Sequence, residues 1–195
     1  MSAAPSTAPG AAGLPPLGEV LGGLRVVRIP LRVRFRGVTE REVALLPGPA
    51  GWGEFGPFLE YGPHESSRWL ASAIEAAYAG WPPPVRDRIP VNATVPAVPA
   101  ADVAGVLARF PGCTTAKVKV AEPGQGLSED LDRVAAVRDV LGELGRIRVD
   151  ANGGWDVEEA TRALSALAAY RLEYAEQPCP DVPDLIRLRT ALARN

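Results

Sequence analysis

The chain has 195 residues and a net charge of −2, from 21 basic and 23 acidic side chains. Its hydrophobic share of 47% and charged share of 23% are typical of a globular protein with one domain or two small ones, and exclude a mostly disordered chain. The near-neutral balance gives no electrostatic footprint for nucleic acid or an anionic membrane surface, and no apolar run is long enough to predict a membrane span.

The first 22 residues predict a flexible tail, because their Ala-, Gly- and Pro-rich composition cannot form a core. Residues 1–22 also lack the basic start and the continuous apolar run of a signal peptide, so we expect a cytoplasmic protein. Cys113 and Cys179 lie far apart in the sequence and predict two free, buried thiols rather than a disulfide or a zinc site.

Residues 23–88 predict a small α+β domain. Alternating apolar residues indicate a hairpin and a short third strand, and a helical spacing of apolar residues follows them. The predicted strands cover residues 24–35, 42–46 and 52–54, and the predicted helix covers residues 64–80. Trp81 and the three prolines after it end that helix, which places a domain boundary before residue 89.

Residues 89–195 predict four successive βα units. The predicted strands cover residues 91–95, 116–120, 147–150 and 172–176, and the predicted helices cover residues 101–110, 127–141, 157–169 and 182–193. Such alternation implies a parallel sheet with helical crossovers. A complete (β/α)8 barrel takes about 250 residues. The predicted fold class is therefore α/β with an α+β cap, in which the cap precedes the first half of a TIM-type barrel.

Lys117 and Lys119 are the two lysines of a chain that otherwise uses arginine for its basic residues. Residues two apart on a strand point to the same face, so both ammonium groups project together. Each disfavours the ionisation of the other, which would lower a lysine pKa and provide a general base near neutral pH. The alternative is an edge strand whose two ordinary lysines face solvent.

Asp150 and Glu176 end the next two predicted strands, at spacings of one βα unit from each other and from Lys119. Parallel strands of a barrel bring their carboxyl ends to one rim, so an amine and two carboxylates are expected to meet there. Hard oxygen ligands of this kind suit Mg²⁺, with Mn²⁺ as a second candidate. Taken singly, each acid could instead be a helix cap or a turn residue.

The sequence resembles the muconate-lactonizing subgroup of the enolase superfamily, which has a KxK strand, then Asp-x-Asn, then Glu at the next strand end. The runs RVRFRGVTERE, GWGEFGPFLEYGP, VNATVPAV, TAKVKVAEPGQ, VDANGGW and EYAEQPC extend the resemblance over residues 24–182. It implies an enolase-like capping domain that closes over the barrel mouth. It also implies a bound Mg²⁺ that stabilises the enediolate formed when a lysine removes the proton beside a substrate carboxylate.

The resemblance assigns roles to these residues. Asp150 and Glu176 would be the metal ligands and Lys119 the base, while Lys117 would lower the pKa of Lys119 and contact the substrate carboxylate. Asn152 would lie beside the metal or the substrate. Within the superfamily, the quoted runs most resemble a hydro-lyase of menaquinone biosynthesis. That resemblance implies dehydration of 2-succinyl-6-hydroxy-2,4-cyclohexadiene-1-carboxylate to an aromatic product.

Two cap residues are further candidates for substrate binding. Arg36 would bind the succinyl carboxylate, since Arg binds carboxylates bidentately, and Phe55 would exclude water from the closed site. Alternatively, Arg36 lies on the wet face of a hairpin and Phe55 only packs between cap and barrel. His64, the single histidine, is expected to begin or cap a helix, without a catalytic role.

The sequence also departs from the family pattern. The family has a third acidic metal ligand at the fifth barrel strand and a second lysine beyond it, and residues 177–195 supply neither. We therefore expect the 195-residue polypeptide alone to be inactive or nearly so, and its unpaired sheet edge to favour self-association. N-succinylamino acid racemase or another muconate-cycloisomerase-like enzyme is the alternative activity, and a non-catalytic, partner-bound remnant is the alternative class. Whether the stop after residue 195 is natural stays open.

Overall fold

The computed structural model describes residues 15–35 and 37–193 of the chain. The chain divides into two compact units, one ending at Asp87 and the next beginning at Arg88. The break follows the proline-rich segment after Trp81. Each unit has its own sheet and its own core.

The first unit pairs an antiparallel sheet with a helix. Its elements within the described residues are α1 (Leu17–Gly23), β1 (Arg25–Phe35), β2 (Val38–Gly48), β3 (Gly51–Phe55) and α2 (Pro63–Ile74), which continues as a π-helical turn over Glu75–Ala79. Strand β2 lies between β1 and β3 and pairs antiparallel with both. The predicted hairpin, third strand and helix are all present, and β2 extends beyond its predicted residues 42–46 at both ends.

Helix α1 corrects the expectation that residues 1–22 form a flexible tail, because it begins inside that segment. Its Val20 is buried and packs with Leu46 of β2 and with two alanines of the helical segment that follows β3. The few apolar residues of α1 are spaced as in a helix, but Gly and Pro dominate the composition of the segment around them, so composition predicted a tail. Residues 1–14 lie outside the described residues.

Helix α2 approaches β3 closely at Gly53. A Cβ atom at position 53 would run into the carbonyl oxygen of Ala73 on the helix, so only glycine fits without a backbone shift. Gly53→Ala is therefore expected to lower the free energy of unfolding by about 2–3 kcal/mol through overpacking. Gly22→Ala in α1, where a Cβ meets nothing within 4 Å, is the control and should raise it by about 0.5–1 kcal/mol.

Urea unfolding followed by circular dichroism measures both variants against the wild type. Equal stability of the Gly53 variant and the wild type would contradict the close approach of α2 and β3.

The second unit alternates strands and helices throughout. Its elements are β4 (Ala93–Val95), a 3₁₀ turn (Ala100–Asp102), α3 (Val103–Leu107), β5 (Thr115–Lys119), α4 (Leu127–Leu141), β6 (Arg146–Asp150), α5 (Val157–Leu167), a 3₁₀ turn (Ala168–Tyr170), β7 (Leu172–Glu176) and α6 (Val182–Leu192). The four strands form one sheet in the order β4-β5-β6-β7, and every neighbouring pair is parallel. The four predicted βα units are thus confirmed.

The two faces of this sheet differ in chemistry. One face carries small and branched apolar side chains that pack under the helices; from β5 and β6 they include Ala116, Val118, Ile147 and Val149. The alternate residues of the same strands point to the opposite face and are largely charged. In a barrel this second face is the interior. Because alternate residues of a strand point to opposite faces, one set forms the core under the helices and the other set forms the site.

Three further observations concern the described residues. Both cysteines are free, Cys179 being buried and Cys113 half-buried. His64 is the second residue of α2 and is exposed, as expected for a helix start. None of the helices in residues 15–35 and 37–193 is long and apolar enough to cross a membrane.

Candidate active site

The register of the parallel sheet aligns the three functional strand ends. Lys119 of β5 lies beside Asp150 of β6, and Asp150 lies beside Glu176 of β7. Because parallel strands share one carboxyl edge, the spacing of one βα unit in the sequence becomes direct neighbourhood in space. The predicted meeting of an amine and two carboxylates is what the sheet shows.

Lys119 is held at the centre of this group. Its Nζ donates to Asp150 Oδ2 in a short contact and to Asn152 Oδ1 at 2.7 Å. The Lys119 side chain is 9% exposed and that of Asp150 only 1% exposed. Away from water the attraction between these two charges is little screened, which fixes the direction of the amine.

Lys117 lies between the two carboxylates. Its Nζ is 3.2 Å from Asp150 Oδ2 and 3.4 Å from Glu176 Oε2. Burial disfavours its ammonium form, but the hydrogen bond and charge of Asp150, with the charge of Glu176, outweigh burial and raise the pKa of Lys117. The expected lowering of a lysine pKa therefore does not occur at Lys117, because its nearest charges are carboxylates.

The carboxylate of Asp150 is stabilised in its ionised form despite its burial. Burial alone would raise the pKa of Asp150, but the hydrogen bond from Lys119 and the backbone N–H of Asn152 lower it, and Lys117 adds to this effect. The Asn152 N–H lies 3.0 Å from Asp150 Oδ1. Asp150 is thus a negative charge at neutral pH, as a metal ligand must be.

The loops after the three strands share one backbone feature. Each strand is followed within two residues by a non-glycine residue in the left-handed region: Ala121 (φ 59°), Asn152 (φ 49°) and Gln177 (φ 42°). We call these short segments directly after β5, β6 and β7 the exits of the strands, and backbone hydrogen bonds join them to one another. They run from the Val120 N–H to the Asp150 carbonyl (3.1 Å), from the Ala151 N–H to the Glu176 carbonyl (3.2 Å) and from the Gly153 N–H to the Gln177 carbonyl (2.7 Å). Strain of this kind is often found at functional sites.

The remaining predicted site residues fall in different places. Asn152 is exposed at the rim and contacts Lys119, which brings it into the site. Phe55 ends β3 in the first unit, where it is half-buried and packs on that unit's own core, so its proposed role in excluding water stays a prediction. Arg36 lies outside the described residues, so its proposed role stays a prediction.

Sequence reasoning missed a second charged group below the rim. Arg148, two residues before Asp150 on β6, donates to Glu173 Oε2 at 2.6 Å and to Asn92 Oδ1 at 3.0 Å, and its guanidinium lies 5.0 Å from the centre of the Tyr174 ring. The register of β6 and β7 shifts between Ile147 and Arg148, beside this contact. Alternation along β6 signals the inward position of Arg148, but the shift has no sequence signal.

The donor set of the site fits a magnesium ion in part. Asp150 and Glu176 present carboxylate oxygens to one cation, the Lys117 ammonium, and Asn152 adds an amide oxygen nearby. Such hard oxygen donors match Mg²⁺. Within the described ranges, however, no three His, Cys, Asp or Glu side chains come together as a metal-binding group. These residues therefore offer two acidic side chains to a cation.

The fold and the site together define a class of protein. Residues 26–77 match the family model of the enolase N-terminal domain-like type, and residues 100–194 match that of the enolase C-terminal domain-like type. A cap and a βα sheet in this order, with a KxK strand and two acids on the next strand ends, are the features of one superfamily. The chain belongs to the enolase superfamily, which confirms the predicted fold class.

Individual relatives narrow the resemblance. The chain is 62% identical over 177 residues to the o-succinylbenzoate synthase of Mycobacterium tuberculosis strain H37Rv, an alignment that covers 90% of this chain and 53% of that protein. It thus spans about half the length of the curated relatives it matches. The resemblance to the enolase superfamily that the motifs indicated therefore extends to a particular relative, at 62% identity.

Solved structures agree on the fold. A dipeptide epimerase from Enterococcus faecalis V583, solved with Mg and the dipeptide L-Leu-L-Tyr, superposes with a TM-score of 0.65 at 21% identity, covering 86% of this chain and 64% of that one. An o-succinylbenzoate synthase from Thermosynechococcus elongatus BP-1, solved with Mg in its active site, superposes with a TM-score of 0.54 at 21% identity, covering 88% and 65%. At this identity the likeness concerns the fold alone.

Proposed function

We propose that the protein to which this chain belongs is an o-succinylbenzoate synthase, a cytoplasmic carbon–oxygen lyase of menaquinone biosynthesis. It dehydrates 2-succinyl-6-hydroxy-2,4-cyclohexadiene-1-carboxylate to 2-succinylbenzoate. The observation that carries the proposal is the buried contact of Lys119 with Asp150, beside Lys117 and Glu176 on adjacent strand ends. The identity of 62% to a synthase of that name supports the choice of substrate.

Asp150 and Glu176 are the residues that would hold the metal ion. When bound there, Mg²⁺ (or Mn²⁺ in its place) would supply positive charge to the substrate carboxylate and stabilise the negative charge that develops on it. Lys117 keeps its ammonium charge between the same two carboxylates and faces the carboxylate side of the substrate.

Lys119 performs both proton transfers in this proposal. Its neutral amine takes the proton from the carbon next to the substrate carboxylate, so the C–H bond breaks and its electron pair moves toward the carboxylate. The ammonium of Lys119 then gives that proton to the departing hydroxyl. The C–O bond breaks, water leaves and the ring becomes aromatic. A single base on one face is sufficient for these two steps.

The test uses the protein isolated from its native cells. Its intact mass is measured first, and the same sample is then assayed for Mg²⁺-dependent formation of 2-succinylbenzoate and for racemisation of N-succinylamino acids. Dehydration that requires Mg²⁺ supports the proposal. Racemisation without dehydration would favour the alternative activity, and neither reaction would favour a non-catalytic module.

The 195-residue polypeptide alone, of 20.6 kDa, is expected to be inactive or nearly so. Two acidic ligands leave Mg²⁺ weakly held, and β7 is an edge strand of the described sheet, which makes self-association part of the proposal. The purified polypeptide is assayed with saturating Mg²⁺, beside the native protein if its mass is larger. Measurable Mg²⁺-dependent turnover by the 195-residue polypeptide would overturn this prediction.

A further inference from the structure

A charged side chain lies in the core directly behind the end of β5. Arg133 of α4 is 1% exposed and is the largest of the fully buried side chains in the part of the chain that the structure describes. It lies on the helix face that also buries Val134 and Val137. A hydrophobic residue would be the ordinary choice here, because burying an ion pair seldom adds stability over an apolar core.

The guanidinium of Arg133 uses all of its nitrogens on neighbouring segments. Nε donates to the Val98 carbonyl at 2.7 Å, and Nη1 donates to the Lys119 carbonyl at 2.9 Å and to Asp130 Oδ1 at 2.9 Å. Nη2 donates to Gln125 Oε1 in a short contact. The planar fork of arginine fits such a set of acceptors, and an ammonium on a flexible stem cannot reproduce it.

Asp130 completes the group from the other side of the strand end. It is 2% exposed, and its Oδ2 accepts the N–H of Ala121 at 3.0 Å. Ala121 has a left-handed backbone (φ 59°), which an alanine adopts only at a cost. Arg133 therefore fixes the carbonyl of Lys119, and Asp130 fixes the amide two residues later.

We propose that Arg133, together with Asp130, is a positioning residue for Lys119. The pair holds the backbone of residues 119–121 in a conformation that ends β5 and directs the Lys119 amine at Asp150 and Asn152. The inference rests on the proposed function, because it assigns a purpose to the position of the base. The environment of the Lys119 amine can be measured in this chain without an assay of turnover.

The chain offers a selective probe, because Lys117 and Lys119 are its two lysines. The 195-residue polypeptide is labelled with ¹⁵N,¹³C-lysine, and its lysine NMR signals are assigned with Lys117→Arg and Lys119→Arg. Arg133→Met is then compared with Arg138→Met. Arg138 is a matched control: it is also on α4 and also binds backbone carbonyls, those of Gly142, Gly145 and Tyr170, but none of residues 119–121.

The expected result is specific to one lysine and one variant. In Arg133→Met the Lys119 side-chain signals shift, and its ammonium protons exchange with water at least about tenfold faster, as for the loss of a charge-assisted hydrogen bond. In Arg138→Met they stay at their wild-type positions, even where the thermal midpoint falls. Arg133→Gln, which keeps a hydrogen-bond donor without the guanidinium fork and adds no lysine, should shift the same signals in the same direction and serves if Arg133→Met does not fold.

A purely structural role for Arg133 predicts another outcome. Both variants would then lose stability while Lys119 kept its wild-type signals and exchange rate, or both lysines would change alike in the two variants. Either result overturns the proposal. Failure of the proposed function is separate: it would show as no Mg²⁺-dependent formation of 2-succinylbenzoate by the native protein, whatever Arg133 does.

Discussion

Native protein with Lys119→Arg is expected to lose at least about a thousandfold in kcat for dehydration, the range that a general base contributes. A guanidinium keeps the positive charge beside Asp150 but cannot release its proton near neutral pH, so the proton acceptor is lost while the ion pair is retained. Mg²⁺ affinity should change little, because the carboxylates of Asp150 and Glu176 are untouched. Steady-state kinetics and a Mg²⁺ titration of the same sample measure both quantities.

The matched control is the same substitution two residues earlier. Lys117→Arg keeps a cation between Asp150 and Glu176, where the structure places the Lys117 ammonium, and should lower kcat by only about tenfold. If the two substitutions reduced kcat equally, the division of roles between the two lysines would be wrong. Unchanged kcat in Lys119→Arg would remove Lys119 from the reaction altogether.

Asp150→Asn is expected to lower the free energy of unfolding of the 195-residue polypeptide by about 3–5 kcal/mol at pH 7, the cost of breaking a buried ion pair. Asp150 is 1% exposed and contacts both lysines, so its neutral replacement leaves two neighbouring ammonium groups without their shared counter-charge. Urea unfolding followed by circular dichroism provides the measurement.

The sign of the pH dependence follows from the lowered pKa of Asp150. Its contribution is present above the carboxyl pKa of the unfolded chain, about 3.9, and is lost as the pH falls through the lower value of the folded chain. Wild type and Asp150→Asn should therefore converge in acid.

Two further variants make the origin of the effect distinguishable. Asp150→Asn with Lys119→Met removes both charges and should recover about 1–3 kcal/mol relative to the sum of the single changes. Glu173→Gln breaks the half-exposed pair with Arg148 on the same sheet and should cost no more than about 1 kcal/mol. An equal loss in Asp150→Asn and Glu173→Gln would contradict the special strength of the buried pair.

The parts of this protein that the sequence predicts are those that follow from regular spacing. The βα alternation predicted four strands within two residues of their observed bounds, and the parallel register brings Lys119, Asp150 and Glu176 together. Such an inference needs no knowledge of side-chain conformation, because a shared strand edge follows from topology alone.

The parts that it did not predict depend on tertiary contacts or on a masked local signal. Helix α1 was hidden by the Gly and Pro around its few apolar residues. Asp130 and Arg133 lie on the same face of α4 as the buried Val134 and Val137, and this spacing is the sequence signal that the two charges are buried. The charged composition of α4 suggests an exposed helix instead. The contact of Glu173 with Arg148 lies beside a register shift, which no residue pattern predicts.

The left-handed exits at Ala121, Asn152 and Gln177 have a consequence for how such proteins diversify. Main-chain hydrogen bonds join each exit to its neighbour, so the directions in which the chain leaves β5 and β7 do not depend on the side chains of Lys119 and Glu176. Side chains at positions 119 and 176 can therefore be exchanged in evolution while the backbone that presents them stays in place. A lineage could thus acquire a new reaction by replacing a single strand-end residue.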